Sequence, residues 1–186
     1  NIIYKEDLVT TSKTIEETGT ENVFDITLQV TTQEDIKNIS ISPNVATVLV
    51  LDKSGSMAEM DGDNKSRFVE MKDAANDFLT QFANIEAGSN AKRLVSIVSF
   101  ASDVRNETYS NEKNNWINVA NSINDLNSAK NKVNNIENPM SIEDEKRGTN
   151  IEGALIMANN IVEDGKTNKT LEGIDNINII LLTDGC

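Results

Sequence analysis

The chain has 186 residues, of which 38% are hydrophobic, enough for one domain-sized core and a smaller additional segment. Its 17 Lys and Arg against 30 Asp and Glu give a net charge of −13, which argues against a nucleic-acid partner, because phosphate backbones are bound by basic surfaces. No apolar run approaches the roughly 20 residues of a membrane helix. Since the chain starts at Asn1 without a signal peptide, it is predicted to be an internal fragment of a longer protein.

Two residue types limit the chemistry of any site. The chain contains no histidine, and its single cysteine is Cys186. This excludes a Ser-His-Asp triad and a cysteine zinc site, and it removes the commonest general base. A metal site must therefore be built from oxygen ligands, which favours Mg²⁺, Ca²⁺ or Mn²⁺.

Residues 1–43 have the pattern of an antiparallel sheet. Residues 23–31 alternate strictly between apolar and polar side chains, which predicts a half-buried strand. Its apolar face consists of Phe24, Ile26, Leu28 and Val30. Further strands are predicted within residues 3–14 and 36–41. Two or three strands do not form a stable sandwich alone, so this segment is expected to need partner strands from elsewhere.

A different pattern begins at Val45. Residues 45–51 form a short, continuous apolar run, which predicts a strand buried on both faces, as in parallel sheets covered by helices. Residues 93–100 and 177–182 predict two more strands of this kind, and residues 177–182 are expected to be as buried as residues 45–51. The segments between them are predicted to be helical, which indicates an α/β fold with a largely parallel sheet and helices on both faces.

Three helices are predicted between these strands. The first spans residues 67–85 and begins after Ser66 as its N-cap. Its apolar stripe consists of Phe68, Met71, Ala75, Phe78, Leu79 and Phe82. The second spans residues 116–126, on the spacing of Trp116, Val119, Ala120 and Ile123. Residues 59–64, 87–90 and 102–115 are predicted to be exposed loops, and residues 127–146 a polar link that forms a flap.

Oxygen-bearing side chains follow the buried strands. Asp52, Ser54 and Ser56 come directly after the first strand, and Asp184 follows the last. In open α/β sheets, ligands bind beyond the carboxyl ends of the strands. Alternate positions of a loop can turn three oxygens toward one point, and Gly55 is expected to permit the tight backbone this needs.

Thr149 lies at the start of the third predicted helix, where two interpretations are open. With Glu152 three residues later it forms a capping box, followed by the apolar positions Ile151, Leu155, Ile156 and Ile161. Thr149 is then a helix cap and nothing more. Alternatively, it adds a hydroxyl to the site at the strand ends.

The motifs DKSGSM after a buried strand, GTN opening a helix and LLTDG ending a strand together resemble the von Willebrand factor A domain. The resemblance covers the chain from Val45 onward. It implies a Rossmann-like sheet over residues 44–186, incomplete because family domains continue beyond the third loop. It also implies a metal-ion-dependent adhesion site, which holds Mg²⁺, or alternatively Ca²⁺ or Mn²⁺. The implied ligands are Asp52, Ser54, Ser56, Thr149 and Asp184.

In this family the metal typically accepts a Glu or Asp of the partner protein. The implied function is therefore metal-dependent adhesion without catalysis.

The segment TSKTIEETGTENVFDITLQVTT that leads into VLVLDKSGSM resembles the surface and pilus-tip adhesins of Gram-positive bacteria. The resemblance implies that residues 1–43 are part of an Ig-like β-sandwich into which the A domain is inserted. It implies an extracellular location on the cell wall or pilus. The implied partners are a host extracellular-matrix or cell-surface protein and other domains of the pilus or surface protein. Lys13 is a candidate for a Lys–Asn isopeptide bond, or else a solvated surface lysine.

Two other functions remain open from the sequence. A Mg²⁺-dependent phosphohydrolase of the haloacid-dehalogenase type also places Asp at a strand end, but its D-x-D motif has its second Asp where this chain has Ser54. No P-loop is present either. The other alternative is an A domain whose metal only stabilises its own loops.

Overall fold

The computed structural model describes residues 9–19, 24–32, 43–61, 64–84, 91–109 and 115–185. The chain divides into two compact units, Asn1–Ser40 and Ile41–Cys186. The predicted strand at residues 36–41 and the predicted loop at residues 87–90 lie outside the described residues. Among the helices that are described, none is both long and apolar enough to cross a membrane.

The first unit contains an antiparallel pair of strands, β1 (Val9–Glu17) and β2 (Phe24–Thr32). The predicted strand at residues 23–31 is confirmed over Phe24–Thr32. Its apolar face is exposed within the described part of this unit, so its half-burial stays a prediction that depends on the partner strands expected from elsewhere. Four large apolar side chains of the pair are more than half exposed: Ile15, Phe24, Ile26 and Leu28. Ile15 lies opposite Ile26 and Lys13 opposite Leu28, so Lys13 shares their face. Both the Ig-like sandwich and the isopeptide bond of Lys13 stay predictions.

The second unit alternates strands and helices. In chain order its elements are β3 (Val45–Asp52), β4 (Met60–Asp61), β5 (Lys65–Ser66), α1 (Arg67–Asn84), β6 (Arg93–Phe100), β7 (Val104–Asn106), β8 (Ile117–Asn118), α2 (Ile123–Asn134), α3 (Ile151–Thr167) and β9 (Asn176–Leu182). The main sheet has the order β7-β6-β3-β9, and β8 also pairs with β6. Strand β3 is parallel to both β6 and β9, whereas the short β7 and β8 are antiparallel to β6.

Helices cover both faces of this sheet. Leu49 and Leu51 of β3 belong to a buried cluster that includes apolar residues of α1 and α2. Val48 and Val50 point the other way, into a cluster that includes apolar residues of α3. Because consecutive strand residues face opposite sides, this alternation requires a strand buried on both faces. The predicted α/β fold with a mostly parallel sheet is confirmed.

The register brings the carboxyl ends of three strands together. Asp52, the last residue of β3, pairs with Phe100, the last residue of β6. On the other side, Leu51 pairs with Leu182, the last residue of β9. The residues that follow β6 and β9 therefore flank Asp52 at one edge of the sheet.

The second helix lies further along the chain than predicted. Ile117–Asn118 is a short strand, and α2 begins only at Ile123. The hydroxyl of Ser122 caps it by accepting a hydrogen bond from Asp125 N at 3.1 Å. Trp116 lies just before β8 and Val119 lies in the turn after it, and both are buried. Their helical spacing is therefore accidental. The predicted flap at residues 127–146 is wrong for residues 127–134, which belong to α2. Residues 135–146 are mostly exposed and contain two 3₁₀ turns, Pro139–Ser141 and Asp144–Lys146.

Three further predictions about burial and loops need correction. The predicted loop at residues 102–115 contains the edge strand β7. Strand β9 lies at the edge of the described sheet and exposes Ile177 and Ile179, so its predicted burial is wrong there. Helix α3 buries Ala154, Ala158, Ile161 and Val162. Leu155 and Ile156, predicted to face the core, are exposed.

Helix α1 agrees with its prediction. It starts at Arg67, and its predicted apolar stripe is buried apart from the partly buried Phe78. Ser66 Oγ accepts from Val69 N, although at a long 3.4 Å. Met57, which follows β3, lies in the same buried cluster as this stripe, and Arg67 N donates to Glu59 O at 3.0 Å, so α1 packs against the residues that follow β3.

Candidate functional site

Asp52 is the most deeply buried acid of the site, with no exposed surface at all. Its Oδ1 accepts a hydrogen bond from Ser54 N at 2.7 Å, and its Oδ2 accepts one from Thr183 Oγ1 at 2.6 Å. Thr183 Oγ1 in turn accepts from Gly185 N at 3.0 Å. A buried charge is tolerated only when it is paired or hydrogen-bonded, and here both carboxylate oxygens are. The side chain of Asp52 is therefore held in one orientation.

The hydroxyls of Ser54 and Ser56 extend this cluster to the end of β9. Ser54 Oγ lies 3.3 Å from Ser56 Oγ, and Ser56 Oγ donates to Asp184 Oδ1 at 3.0 Å. Ser54 is fully buried. Four of the five residues predicted as metal ligands thus form one hydrogen-bonded cluster.

Gly55 permits a close packing of two loops. Its N donates to Arg147 O at 2.9 Å, and a Cβ at this position would lie 3.2 Å from Arg147 Cβ. The described glycines with positive φ do not include Gly55. The expectation that the loop needs the backbone freedom of glycine is therefore wrong, and the reason for glycine is the closeness of Arg147.

Thr149 reaches the same edge of the sheet through its backbone neighbours. Gly148 N donates to Ser102 Oγ at 2.9 Å, and Asn150 N donates to Ala101 O at 2.8 Å, just beyond the end of β6. The predicted capping box is wrong, because the cap of α3 is Asn150, whose Oδ1 accepts from Gly153 N at 2.9 Å. Thr149 is therefore not the N-cap of α3, and capping does not explain the threonine at this position.

Arg67, the first residue of α1, brings a positively charged side chain to this site. Its Nη1 lies 3.0 Å from Asp184 Oδ2 and 3.1 Å from Glu59 Oε2. The Asp184 side chain is 9% exposed and the Arg67 side chain 26%. Both oxygens of Asp184, like those of Asp52, therefore have a hydrogen-bond donor.

Sequence reasoning did not identify Arg67 or Thr183 as parts of the site. Thr183 lies in the LLTDG motif, from which only its neighbour Asp184 was predicted to be a site residue. Its role depends on the pairing of β3 with β9, which places it beside Asp52. No local pattern marks Arg67, because its partner Asp184 is 117 residues away.

The segment of residues 135–148, here named the collar, packs beside the Asp52 loop. Arg147 holds it together by donating to Ile142 O at 2.8 Å and to Met140 O at 3.2 Å. Lys53 reaches it through an ion pair with Glu137 at 3.6 Å. Lys146 donates a hydrogen bond to Glu143, which lowers the pKa of Glu143 and raises that of Lys146. Because both side chains are exposed, this pair stabilises the collar little.

The cluster has the donor chemistry of a site for a hard dication. Among the residues that the structure describes, no group of three or more acidic, His or Cys side chains could hold a metal. This cluster instead combines two carboxylates with hydroxyls, a set that balances two positive charges and that Mg²⁺ accepts. The proton of Ser56 is directed to Asp184, which leaves oxygen lone pairs of that hydroxyl for a cation. The residues present therefore fit a divalent metal ion.

Comparisons with known proteins agree with this architecture. The PilB minor pilin from Streptococcus sanguinis has a similar structure, with a TM-score of 0.54 and 18% sequence identity. The similarity covers 95% of this chain and 46% of that pilin, and at this identity it shows the fold alone. No curated protein matches the chain significantly in sequence. The family profile described as von Willebrand factor type A domain matches residues 47–186, well over half of the chain. The chain belongs to the von Willebrand factor type A domain family.

Proposed function

We propose that the chain binds a divalent cation through Asp52, Ser54, Ser56, Thr149 and Asp184, and that the cation accepts a carboxylate from a partner protein. Family membership supports a protein-binding role, since these domains are generally interaction modules and not enzymes. The observation that carries the proposal is the continuous hydrogen-bonded cluster from Asp52 to Asp184 at the meeting point of the strand ends. Mg²⁺ is the proposed cation, with Mn²⁺ and Ca²⁺ as substitutes.

The balance of charge in the cluster explains how a partner would be bound. Hydroxyl ligands add no charge, and the two carboxylates together only neutralise a dication. One of the two, Asp184, is also paired with Arg67. A cation in this setting retains a strong preference for an additional anionic oxygen, which a Glu or Asp of a partner supplies. The result is adhesion that requires the metal.

The phosphohydrolase alternative gains no support from the site. Such an enzyme requires a second carboxylate two residues after the first, and this position holds the fully buried hydroxyl of Ser54. A serine hydroxyl is a poor proton donor for a leaving group near neutral pH. The described cluster therefore supports binding better than hydrolysis.

The proposed location is the surface of a Gram-positive bacterium, on a pilus or the cell wall. The structural similarity to a minor pilin supports this location. The proposed partners are a host matrix or cell-surface protein and other components of the pilus or surface protein. In the same proposal, residues 1–43 supply strands to an Ig-like sandwich, which would cover the exposed apolar face of Ile15, Ile26 and Leu28.

Binding to immobilised collagen and fibronectin tests the adhesive function. We expect at least one of them to retain the chain in Mg²⁺ and to release it in EDTA. The double variant Ser54→Ala/Ser56→Ala should not bind, whereas Ser128→Ala, an exposed position on α2, should bind like wild type. Binding that is unchanged in EDTA would contradict metal-dependent adhesion. Cation uptake without binding to either protein would favour the alternative in which the metal only stabilises the loops.

A further inference from the structure

Arg67 is a positive charge placed within a site proposed to hold a cation. It begins α1, and its guanidinium lies against Asp184 with about three quarters of its side chain buried. Its backbone is fixed as well, since Arg67 N donates to Glu59 O at 3.0 Å. Lys65 and Lys166, by contrast, keep more than half of their side-chain surface exposed and pair with exposed acids. The placement of Arg67 therefore requires a specific explanation.

One nitrogen of Arg67 serves two carboxylates. Nη1 lies 3.0 Å from Asp184 Oδ2 and 3.1 Å from Glu59 Oε2. The Glu59 side chain is 65% exposed, whereas that of Asp184 is 9% exposed. Charge pairs in a buried setting interact more strongly than exposed pairs, so the contact with Asp184 is the stronger of the two.

We infer that Arg67 sets the cation affinity of the site by holding Asp184 in an ion pair. This inference rests on the proposed function. Arg67 offsets one of the two negative charges, Asp52 and Asp184, that would attract the cation. It is a positioning residue, because it acts through Asp184 and not as a ligand.

The direction of the effect follows from two opposed contributions. Removing the guanidinium takes away its repulsion of the cation, which strengthens cation binding. It also takes away a hydrogen bond that orients Asp184, which weakens cation binding. At an assumed separation of about 6 Å, even with the dielectric constant of water, the repulsion between a guanidinium and a dication would weaken dication binding about tenfold. Asp184 keeps its hydrogen bond from Ser56, so its orientation survives the loss of Arg67. The electrostatic contribution therefore prevails.

The consequence for function is a site tuned for partner binding. Weaker attraction from the protein leaves the cation less neutralised, and it then gains more from a carboxylate brought by another molecule. Arg67 thus lowers the affinity for the metal and favours the ternary complex with a partner.

Calorimetric titration of the full chain with MgCl₂ and with MnCl₂ tests the role of Arg67. We expect Arg67→Gln to bind Mg²⁺ about tenfold more tightly than wild type, and Arg67→Lys, which keeps the charge, to stay within about threefold. Lys166→Gln is the matched control, because it removes one exposed positive charge near the other end of α3. It should change the affinity by less than about twofold, since exposed charges at such distances are screened.

The outcomes separate this inference from the proposed function. If Arg67→Gln binds Mg²⁺ like Lys166→Gln or more weakly, the inference is overturned while the site stands. If wild type takes up neither cation, the proposed function itself fails. If Arg67→Gln shows no cooperative unfolding transition in EDTA, it is not folded, and Glu59→Gln is tested in its place. That change removes a second carboxylate from Arg67 Nη1, which strengthens its pairing with Asp184, and should weaken Mg²⁺ binding about twofold. Tighter binding would overturn the inference.

Discussion

At the scale of single residues, the site depends on partners that lie outside the motif. The five predicted ligands follow from the motif, and four of them are joined by hydrogen bonds in the structure. Thr183 and Arg67 could not be predicted in the same way, because each acts on a residue more than 100 positions away. Such contacts depend on strand pairing and helix placement, which no local pattern contains.

Thr183→Ala tests the importance of these supporting contacts. Without the hydroxyl, Asp52 Oδ2 loses the 2.6 Å hydrogen bond that fixes its orientation. Loss of such a supporting contact typically costs roughly 10- to 100-fold in metal affinity, so we expect a decrease of that size in Mg²⁺ affinity by calorimetry.

The control for this change is Thr183→Ser, which keeps the hydroxyl and should bind Mg²⁺ nearly like wild type. Equal affinity of the alanine variant and wild type would show that the buried Asp52 does not need Thr183 for metal binding.

At the scale of elements, predictions succeeded where burial had a simple period. Strands β3 and β6 are mostly apolar and buried along their length, and α1 has an uninterrupted apolar stripe. The prediction for α2 failed because Trp116 and Val119 mimic a helical spacing, while the true N-terminal signal is Ser122 followed by Asp125. For α3 the larger Leu155 and Ile156 suggested the wrong face, since the sheet is contacted through Ala154 and Ala158.

Gly165 shows why α3 uses small residues on its buried face. A Cβ there would lie 2.9 Å from both Leu171 Cγ and Trp116 Nε1, closer than atoms pack. We expect Gly165→Ala to lower the free energy of unfolding by about 1–2 kcal/mol, because overpacking outweighs the gain in helix propensity. Urea unfolding followed by Trp116 fluorescence measures this change.

An exposed position on the same helix supplies the control for Gly165. Asn159→Ala meets no such contact and should leave the stability equal or slightly higher. If Gly165→Ala is as stable as Asn159→Ala, the packing of α3 against Leu171 and Trp116 is looser than the distances indicate.

At the scale of the whole molecule, the sheet places the site and the two units differ in what they bury. Both apolar clusters of the second unit lie against β3, whose carboxyl end carries Asp52. The sequence could predict this arrangement, because buried parallel strands direct their carboxyl ends to one edge. It could not predict the surroundings of β1 and β2, since an alternating strand pattern indicates that a face is to be covered but not what covers it.

Binding of one divalent cation by the cluster from Asp52 to Asp184 is the basis of the proposed adhesion. Calorimetric titration of metal-free chain with MgCl₂ tests it most directly, with Ser54→Ala/Ser56→Ala as the variant and Ser128→Ala as the control. We expect one Mg²⁺ per chain for wild type and control, and an affinity at least about 100-fold lower for the double variant, because it loses two oxygen ligands. No uptake of Mg²⁺ by wild type, or equal uptake by the double variant, would contradict it.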